Sequence, residues 1–248
     1  MYRKLILATL SLMTVMPAAA QSEAGLLMEL GTEKIVSKKF SIGLDAELRT
    51  RNNLKTMDRW SLGINAEYKP WKFLKLGIGY TLLDNNFRES ISYKANGSYN
   101  NWRPSYWGIR HRLHASATAT YKFSNGLRLS LRERWQYTYR PEKTVTRWDF
   151  DNSWWEDDVR SGKGKNQLRS RLQLEYDKKG ALLTPYTNME LYNSWGVEKI
   201  RYSIGTDFNL SKQHKLTLFY RFQDMKNGGN SDNEPDMHYI GVGYQFKF

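Results

Sequence analysis

The chain contains no cysteine and only four histidines in 248 residues. The absence of cysteine excludes disulfide scaffolds, cysteine-ligated zinc sites and thiol catalysis together. Beyond residue 20 no stretch is long and apolar enough for a membrane-spanning helix, and the mean hydropathy is −0.70. A helical membrane bundle is therefore excluded, whereas a β-barrel is not, because its polar lumen and loops dilute its apolar outer band.

The first twenty residues have the three-part pattern of a secretory signal peptide. Arg3 and Lys4 are followed by an apolar run over residues 5–15 and by small residues at 18–20. We therefore predict a signal peptide at 1–20 and a mature outer-membrane barrel at 21–248. The formal net charge of +13 favours anionic partners. An exported protein has little chance to meet nucleic acid. The expected partners are therefore outer-membrane lipid, lipopolysaccharide and the barrel-assembly machinery. The expected location is the outer membrane of a Gram-negative cell.

The last twelve residues alternate between apolar and polar or small side chains. A strand of about ten residues with one apolar and one polar face suits a wall between lipid and water. This strand is also the predicted assembly signal, through Tyr244, Phe246 and Phe248. The same period of two recurs at residues 40–51, 59–69, 73–83, 109–123, 127–140, 167–177, 183–193, 201–210 and 215–223.

Short and long connections alternate between these segments, as expected for periplasmic turns and extracellular loops. Lipid cannot satisfy unpaired backbone groups, so the sheet must close. The predicted fold is all-β, a single transmembrane antiparallel barrel of about 10–12 strands. Residues 24–34 also alternate, which makes the segments odd in number. We expect about ten spanning strands with this segment short, partial or folded inward; a twelve-strand barrel is the alternative.

Several stretches resemble a family of bacterial outer-membrane proteins catalogued as a domain of unknown function. The resemblance covers the mature chain and implies a barrel, but no activity and no catalytic residues. The stretches are residues 47–51 (ELRTR), 104–112 (PSYWGIRHR), 131–137 (LRERWQY), 168–172 (LRSRL) and 244–248 (YQFKF).

The polar phase of the strands is rich in charge, and such side chains must point inward because each would cost about 2–4 kcal/mol in lipid. They indicate either a structural arginine–carboxylate network or a narrow, anion-biased, porin-like pore or site for an acidic solute. No metal or cofactor is expected. The predicted lumen residues are Glu47, Arg49, Arg59, Glu67, Arg110, Arg112, Arg128, Arg132, Arg134, Arg169, Arg171, Glu175, Glu190, Arg201, Asp207 and Arg221.

Two histidines, His111 and His238, fall on the apolar phase near the loop ends of their strands. They are the weak catalytic candidates of an alternative function, an outer-membrane lipid-modifying enzyme, which would need a hydroxyl or carboxylate beside the histidine. The other interpretation places them among lipid headgroups. A soluble periplasmic β domain is the third hypothesis for the chain.

The two longest connections, 84–106 and 141–166, combine aromatic and charged residues. Three interpretations apply to them. They form part of an aromatic belt, they pack loop on loop, or they provide a sugar- or cation-binding surface.

Overall fold

The structure, a computed structural model, describes residues 22–178, 180–226 and 234–248. The predicted signal peptide lies outside these residues. Fifteen strands make up the described part of the chain, and eleven of them close into a barrel. No helix in this part is long and apolar enough to cross a membrane. The barrel strands are β1 (Ser22–Ile35), β2 (Phe40–Arg51), β3 (Thr56–Trp71), β4 (Leu74–Phe87), β7 (Tyr106–Lys122), β8 (Leu127–Arg140), β11 (Lys163–Tyr176), β12 (Leu183–Asn193), β13 (Val197–Asn209), β14 (His214–Met225) and β15 (Asp236–Lys247).

The barrel strands have the two faces that the alternation predicts. On β3 the side chains of Leu62 and Ile64 are 54% and 50% exposed on the outside, and on β15 Ile240 is 71% exposed. The intervening Ser61 on β3 is buried inside. Because a strand presents successive side chains to opposite faces, the apolar residues form the outer wall and the charged residues line the interior.

The barrel closes through a parallel contact between its first and last strands. All other neighbouring barrel strands are antiparallel, but β1 runs parallel to β15, in a register that pairs Leu27 with Gly241. The prediction that residues 24–34 form a short, partial or inward-folded segment is therefore wrong. The segment is a complete strand of fourteen residues. The odd count of eleven strands follows from the parallel closure, since an all-antiparallel ring needs an even number.

Short turns lie at one end of the barrel and long connections at the other. The turn at Asn125 and Gly126 shows why the short turns are tight. Gly126 has φ of +92°, and the Asn125 side-chain oxygen accepts a hydrogen bond of 3.1 Å from the Leu127 N–H. The end with short turns is the periplasmic end by the rule for outer-membrane barrels.

The two longest connections contain strands that the sequence alone did not reveal. They form a second, four-stranded antiparallel sheet in the order β10-β9-β6-β5, which we call the hat. The two hairpins extend the β4–β7 and β8–β11 pairs beyond the barrel and join each other where Trp102 of β6 pairs with Trp148 of β9. The hat strands are β5 (Ser90–Tyr93), β6 (Tyr99–Arg103), β9 (Lys143–Asp149) and β10 (Trp154–Arg160).

Candidate functional site

The interior of the barrel contains a cavity of about 1100 Å³. It reaches the periplasmic end, where Trp71, Lys122 and Lys247 lie on its wall. Eleven strands enclose a wider space than eight strands, whose side chains alone fill the interior. Fourteen of the sixteen predicted lumen residues line this cavity: Glu47, Arg59, Glu67, Arg112, Arg128, Arg132, Arg134, Arg169, Arg171, Glu175, Glu190, Arg201, Asp207 and Arg221.

The other two predicted lumen residues lie nearer the extracellular end, outside the cavity lining. Arg49 is buried, with its guanidinium 5.2 Å from the centre of the Tyr239 ring. The guanidinium of Arg110 lies 4.5 Å from the centre of the Phe87 ring. Both cations are therefore held over aromatic faces, which attract positive charge.

The extracellular third of the interior is packed with side chains. We call this layer the outer plug and define it by five inward-facing residues that are nearly inaccessible to solvent: Leu27, Arg49, Leu83, Met237 and Tyr239. Leu27, Met237 and Tyr239 belong to one apolar cluster with Phe219, next to the parallel seam. The cavity thus opens toward the periplasmic end and meets packed side chains at the other end.

One carboxylate, that of Glu190, is the centre of an ion-pair network halfway up the wall. It accepts hydrogen bonds of 2.6 Å from Arg132 and 2.9 Å from Arg169. The Tyr192 hydroxyl donates a third bond of 2.8 Å and accepts one from Arg201. Three donors satisfy this buried carboxylate, so its position and direction are fixed.

The Tyr192 ring is also surrounded by cations. Its centre lies 4.5 Å from the Arg169 guanidinium, 4.6 Å from the Lys199 ammonium and 4.7 Å from the Arg201 guanidinium. Tyr192 was not among the predicted lumen residues. Tyr192 lies two positions after Glu190 on the same strand and therefore also faces inward. This alternation is the sequence signal that could have identified it.

On the opposite side of the lumen, Glu47 pairs with two arginines. Arg49 donates to it at 2.9 Å, and the Arg59 Nε donates to the same oxygen at 3.1 Å. Towards the periplasmic end the pairs are simpler, such as Lys75 with Glu67 at 2.8 Å and Lys215 with Asp207 at 3.0 Å. The structural network expected from the sequence is thus present in several separate units.

These pairs leave a surplus of positive charge. Among the described residues, sixteen Lys and Arg side chains and nine Asp and Glu side chains line the cavity. The excess of seven cations faces a confined space with low-dielectric walls, which concentrates the field. Such an arrangement can attract and hold anions.

The two candidate histidines lie on different sides of the barrel. On β7 the His111 Nδ1 is 2.7 Å from the Tyr80 hydroxyl, and on β15 the His238 Nδ1 is 2.6 Å from the Tyr220 hydroxyl. The partner in each case is a tyrosine, and no serine or carboxylate of the described residues bonds to either ring. The geometry of a catalytic triad is therefore not formed at these positions.

The third outward histidine repeats the arrangement at the other membrane interface. His214 starts β14, and its Nδ1 is 2.6 Å from the Tyr244 hydroxyl. Eight residues of β14 separate the level of His238 from that of His214, a length of about 27 Å along the strand. The His–Tyr pairs therefore bracket the apolar band, as aromatic girdles do.

The aromatic residues of the hat contact one another across the two hairpins. The ring centres of Trp102 and Trp155 are 5.6 Å apart, and those of Tyr99 and Phe150 are 5.2 Å apart. On the other face, Arg103 donates to Asp158 at 2.8 Å. Of the three interpretations of these residues, packing of loop on loop has direct contacts in the structure. No metal-binding cluster of His, Asp or Glu occurs among the residues that the structure describes.

The closed sheet, its apolar outside and its charged inside define the chain as a β-barrel of the outer-membrane class. A family model described as a protein of unknown function (DUF2490) matches residues 24–234, and the chain belongs to this family. The comparison with curated proteins gave no match.

The comparison with solved structures gave matches at low sequence identity. The translocator domain of the autotransporter NalP from Neisseria meningitidis superimposes with a TM-score of 0.55 at 9% identity, over 91% of this chain and 90% of that one. The beta domain of the Bordetella autotransporter BrkA gives 0.47 at 13% identity, over 84% and 81%. The CymD monoaromatic hydrocarbon channel gives 0.38 at 10% identity, over 76% and 66%. The likeness to NalP is one of fold.

Proposed function

We propose that this protein is exported by its signal peptide and resides in the outer membrane as a narrow, anion-biased barrel. Its lumen holds small anions and passes them when the outer plug rearranges. Lipopolysaccharide and outer-membrane lipid surround it, and the barrel-assembly machinery inserts it. The excess of cationic side chains around the cavity, sixteen against nine, is the observation that carries the proposal.

The charged side chains of the lumen both stabilise the barrel and favour anions over cations. Paired arginines, such as Arg132 and Arg169 on Glu190, brace the wall from inside. Arginines beyond the number of carboxylates keep the interior positive. Rings of arginine or lysine favour anions over cations in a pore, because the guanidinium replaces part of the hydration shell of the anion.

Planar-bilayer recording with Arg171→Glu tests the pore. In a gradient of potassium chloride, the wild-type reversal potential should indicate preference for chloride, and Arg171→Glu should move it towards potassium. Arg160→Glu, a charge reversal in the hat rather than in the cavity lining, is the control and should leave the reversal potential unchanged. Absence of current at any voltage would remove the pore and leave a structural barrel.

The alternative function, modification of membrane lipids, requires a reacting group beside His111 or His238. The tyrosine partners of both histidines favour an interfacial role instead. Mass spectrometry of membrane lipids from cells with wild type, His111→Ala or His238→Ala separates the two functions. A lipid species lost in either variant would support the enzyme.

A further inference from the structure

Four arginines form a compact group on two neighbouring strands in the cavity wall. Arg132 of β8 lies directly opposite Arg171 of β11, and Arg134 lies directly opposite Arg169. All four side chains point into the cavity. We call this group the four-arginine square. Residues opposite each other in an antiparallel pair have Cβ atoms about 4.5–5.5 Å apart, and like charges in such positions repel.

The square is only partly neutralised. Glu190 bonds to Arg132 and Arg169, one arginine of each opposed pair. Arg134 and Arg171 form no ion pair with any residue that the structure describes, and the Nε atoms of all four arginines are buried without a hydrogen-bond partner there. Arg171 lies opposite Glu190 in the β11–β12 register, but the Glu190 carboxylate bonds to Arg132 and Arg169 instead. Four cations and one anion leave the group with an excess of three positive charges.

Two hydroxyl groups of β7 lie beside the β8 edge of the square. Ser116 on β7 lies opposite Arg134, and Thr118 lies opposite Arg132, and both side chains line the cavity. A ligand at this position would meet two unused guanidinium forks and two hydroxyl groups. An unsatisfied buried guanidinium N–H is costly, and a negatively charged acceptor relieves that cost.

We infer that the four-arginine square is a binding site for a phosphate dianion or a small phosphomonoester that enters from the periplasmic end. This inference rests on the proposed anion-biased lumen and deepens it. A phosphate group carries a charge of about −1.5 to −2 at pH 7 and offers three acceptor oxygens. A single carboxylate offers one charge and two oxygens, so it matches the excess charge and the number of donors less well. Entry is from the periplasmic end, because the outer plug fills the other end.

Titration calorimetry of the purified barrel in detergent, with inorganic phosphate at constant ionic strength, tests the site. Wild type should bind phosphate saturably and at least about tenfold more tightly than acetate. The double variant Arg134→Gln/Arg171→Gln should bind phosphate at least about tenfold more weakly, since each arginine supplies charge-assisted hydrogen bonds. Glucose 6-phosphate in a parallel titration distinguishes a site for free phosphate from one for phosphomonoesters.

The matched control is Arg160→Gln, which removes a cation that has no ion-pair partner among the described residues and does not line the cavity. It should bind phosphate as wild type does. Each single variant is measured as well, and the heat-modified gel mobility of all of them confirms a folded barrel. Equal affinities of wild type and the double variant, or equal affinities for acetate and phosphate, would overturn the inference. Conductance is an independent measurement, so phosphate binding without current would retain the site and reject only the pore.

Discussion

At the scale of single residues, the packing of the inner wall next to the seam requires a glycine at position 241. Gly241 lies beneath the ring of Phe219, and a Cβ at this position would stand less than 3.0 Å from three ring atoms. Phe219 is itself buried against Leu27 and Met237. The glycine therefore provides the space that the apolar cluster needs.

We expect Gly241→Ala to lower the free energy of unfolding by about 1–3 kcal/mol, because the buried ring must move within a packed cluster. Equilibrium unfolding in lipid vesicles measures this change. Gly243→Ala is the matched control on the same strand and the same face, since a Cβ there would meet its nearest atom at 3.5 Å. If both variants unfold alike, crowding by Phe219 is not the reason for the glycine.

A second residue-scale feature lies on the lipid side of the barrel. Glu133 interrupts the apolar phase of β8 at mid-strand, between the outward-facing Leu131 and Trp135. Its carboxylate accepts a hydrogen bond of 2.6 Å from Ser170 on β11. A charged group on this face is costly, and the serine offsets only part of the cost.

Replacing Glu133 with Gln should therefore raise the free energy of unfolding in lipid vesicles by about 1 kcal/mol. The amide removes the charge and keeps an acceptor for Ser170, and the cost of a lipid-facing acid is below the about 2–4 kcal/mol found for Arg or Lys. Glu142→Gln, in the exposed connection after β8, should have no effect. A loss of stability in Glu133→Gln would mean that the ionised carboxylate has a favourable partner in the membrane.

The sequence predicted which residues point inward much better than which of them pair. Alternation alone placed Arg132, Arg169 and Glu190 on one face. Their pairing depends on the register of three strands that are far apart in sequence, and no local pattern encodes that register. For the same reason the unpaired state of Arg171 and the cations around Tyr192 could not be predicted.

At the scale of elements, the seam between the first and last strands ends in backbone hydrogen bonds of Phe248, the residue after β15. The Phe248 N–H donates to the Glu33 carbonyl at 3.0 Å, and its own carbonyl accepts from the Ile35 N–H at 2.8 Å. Its ring stacks on Phe246 with centres 5.5 Å apart. These contacts join the periplasmic ends of β15 and β1.

Deletion of Phe248 should sharply reduce the amount of folded barrel in the outer membrane, because the predicted assembly signal and the last bonds of the seam are lost together. Membrane fractionation with heat-modified gel mobility measures the folded amount. Phe248→Tyr keeps the aromatic ring and the backbone bonds and should insert normally. A deletion variant present at wild-type yield would contradict the role of this residue as a signal.

The hat shows why short strands escape sequence analysis. Its strands are four to seven residues long, and a proline separates two of them from the barrel strands, Pro104 between β6 and β7 and Pro141 between β8 and β9. Its stability rests on contacts between the two hairpins, such as Trp102 with Trp155, whose ring centres are 5.6 Å apart. In the turn between β9 and β10, the Asp151 backbone N–H donates to Asp149 and lowers the pKa of that carboxyl. Only the turn is a local feature; the pairing of the two hairpins is not.

At the scale of the whole molecule, the closed sheet and the alternation of short and long connections could be predicted from the sequence. The eleven strands fall within the predicted range of about 10–12, but the exact number could not be predicted, because the place of residues 24–34 depends on contacts with the other end of the chain. The rule of even strand numbers assumes antiparallel closure, and the β1–β15 contact does not follow it.

The one-sided cavity predicts the direction from which its wall can be reached. The chain has no cysteine, so Thr118→Cys introduces a single thiol into the cavity lining. We expect a charged maleimide too large for general porins to label it in lysed membranes but not in intact cells. Ser161→Cys, between the hat and β11, should react in both preparations. Equal labelling of Thr118→Cys in both would mean that the outer plug does not close the lumen.

The parallel seam also fixes the sides on which the two ends of the sheet are found. Because β1 and β15 point the same way, Ser22 lies beside Asp236 at the hat end, whereas Phe248 lies beside Ile35 at the turn end. An epitope inserted directly before Ser22, after the predicted cleavage site, should bind antibody on living cells. The same epitope after Phe248 should stay hidden until the cells are broken. One polypeptide of this design would present a protein fused before Ser22 on the cell surface and keep a protein fused after Phe248 in the periplasm.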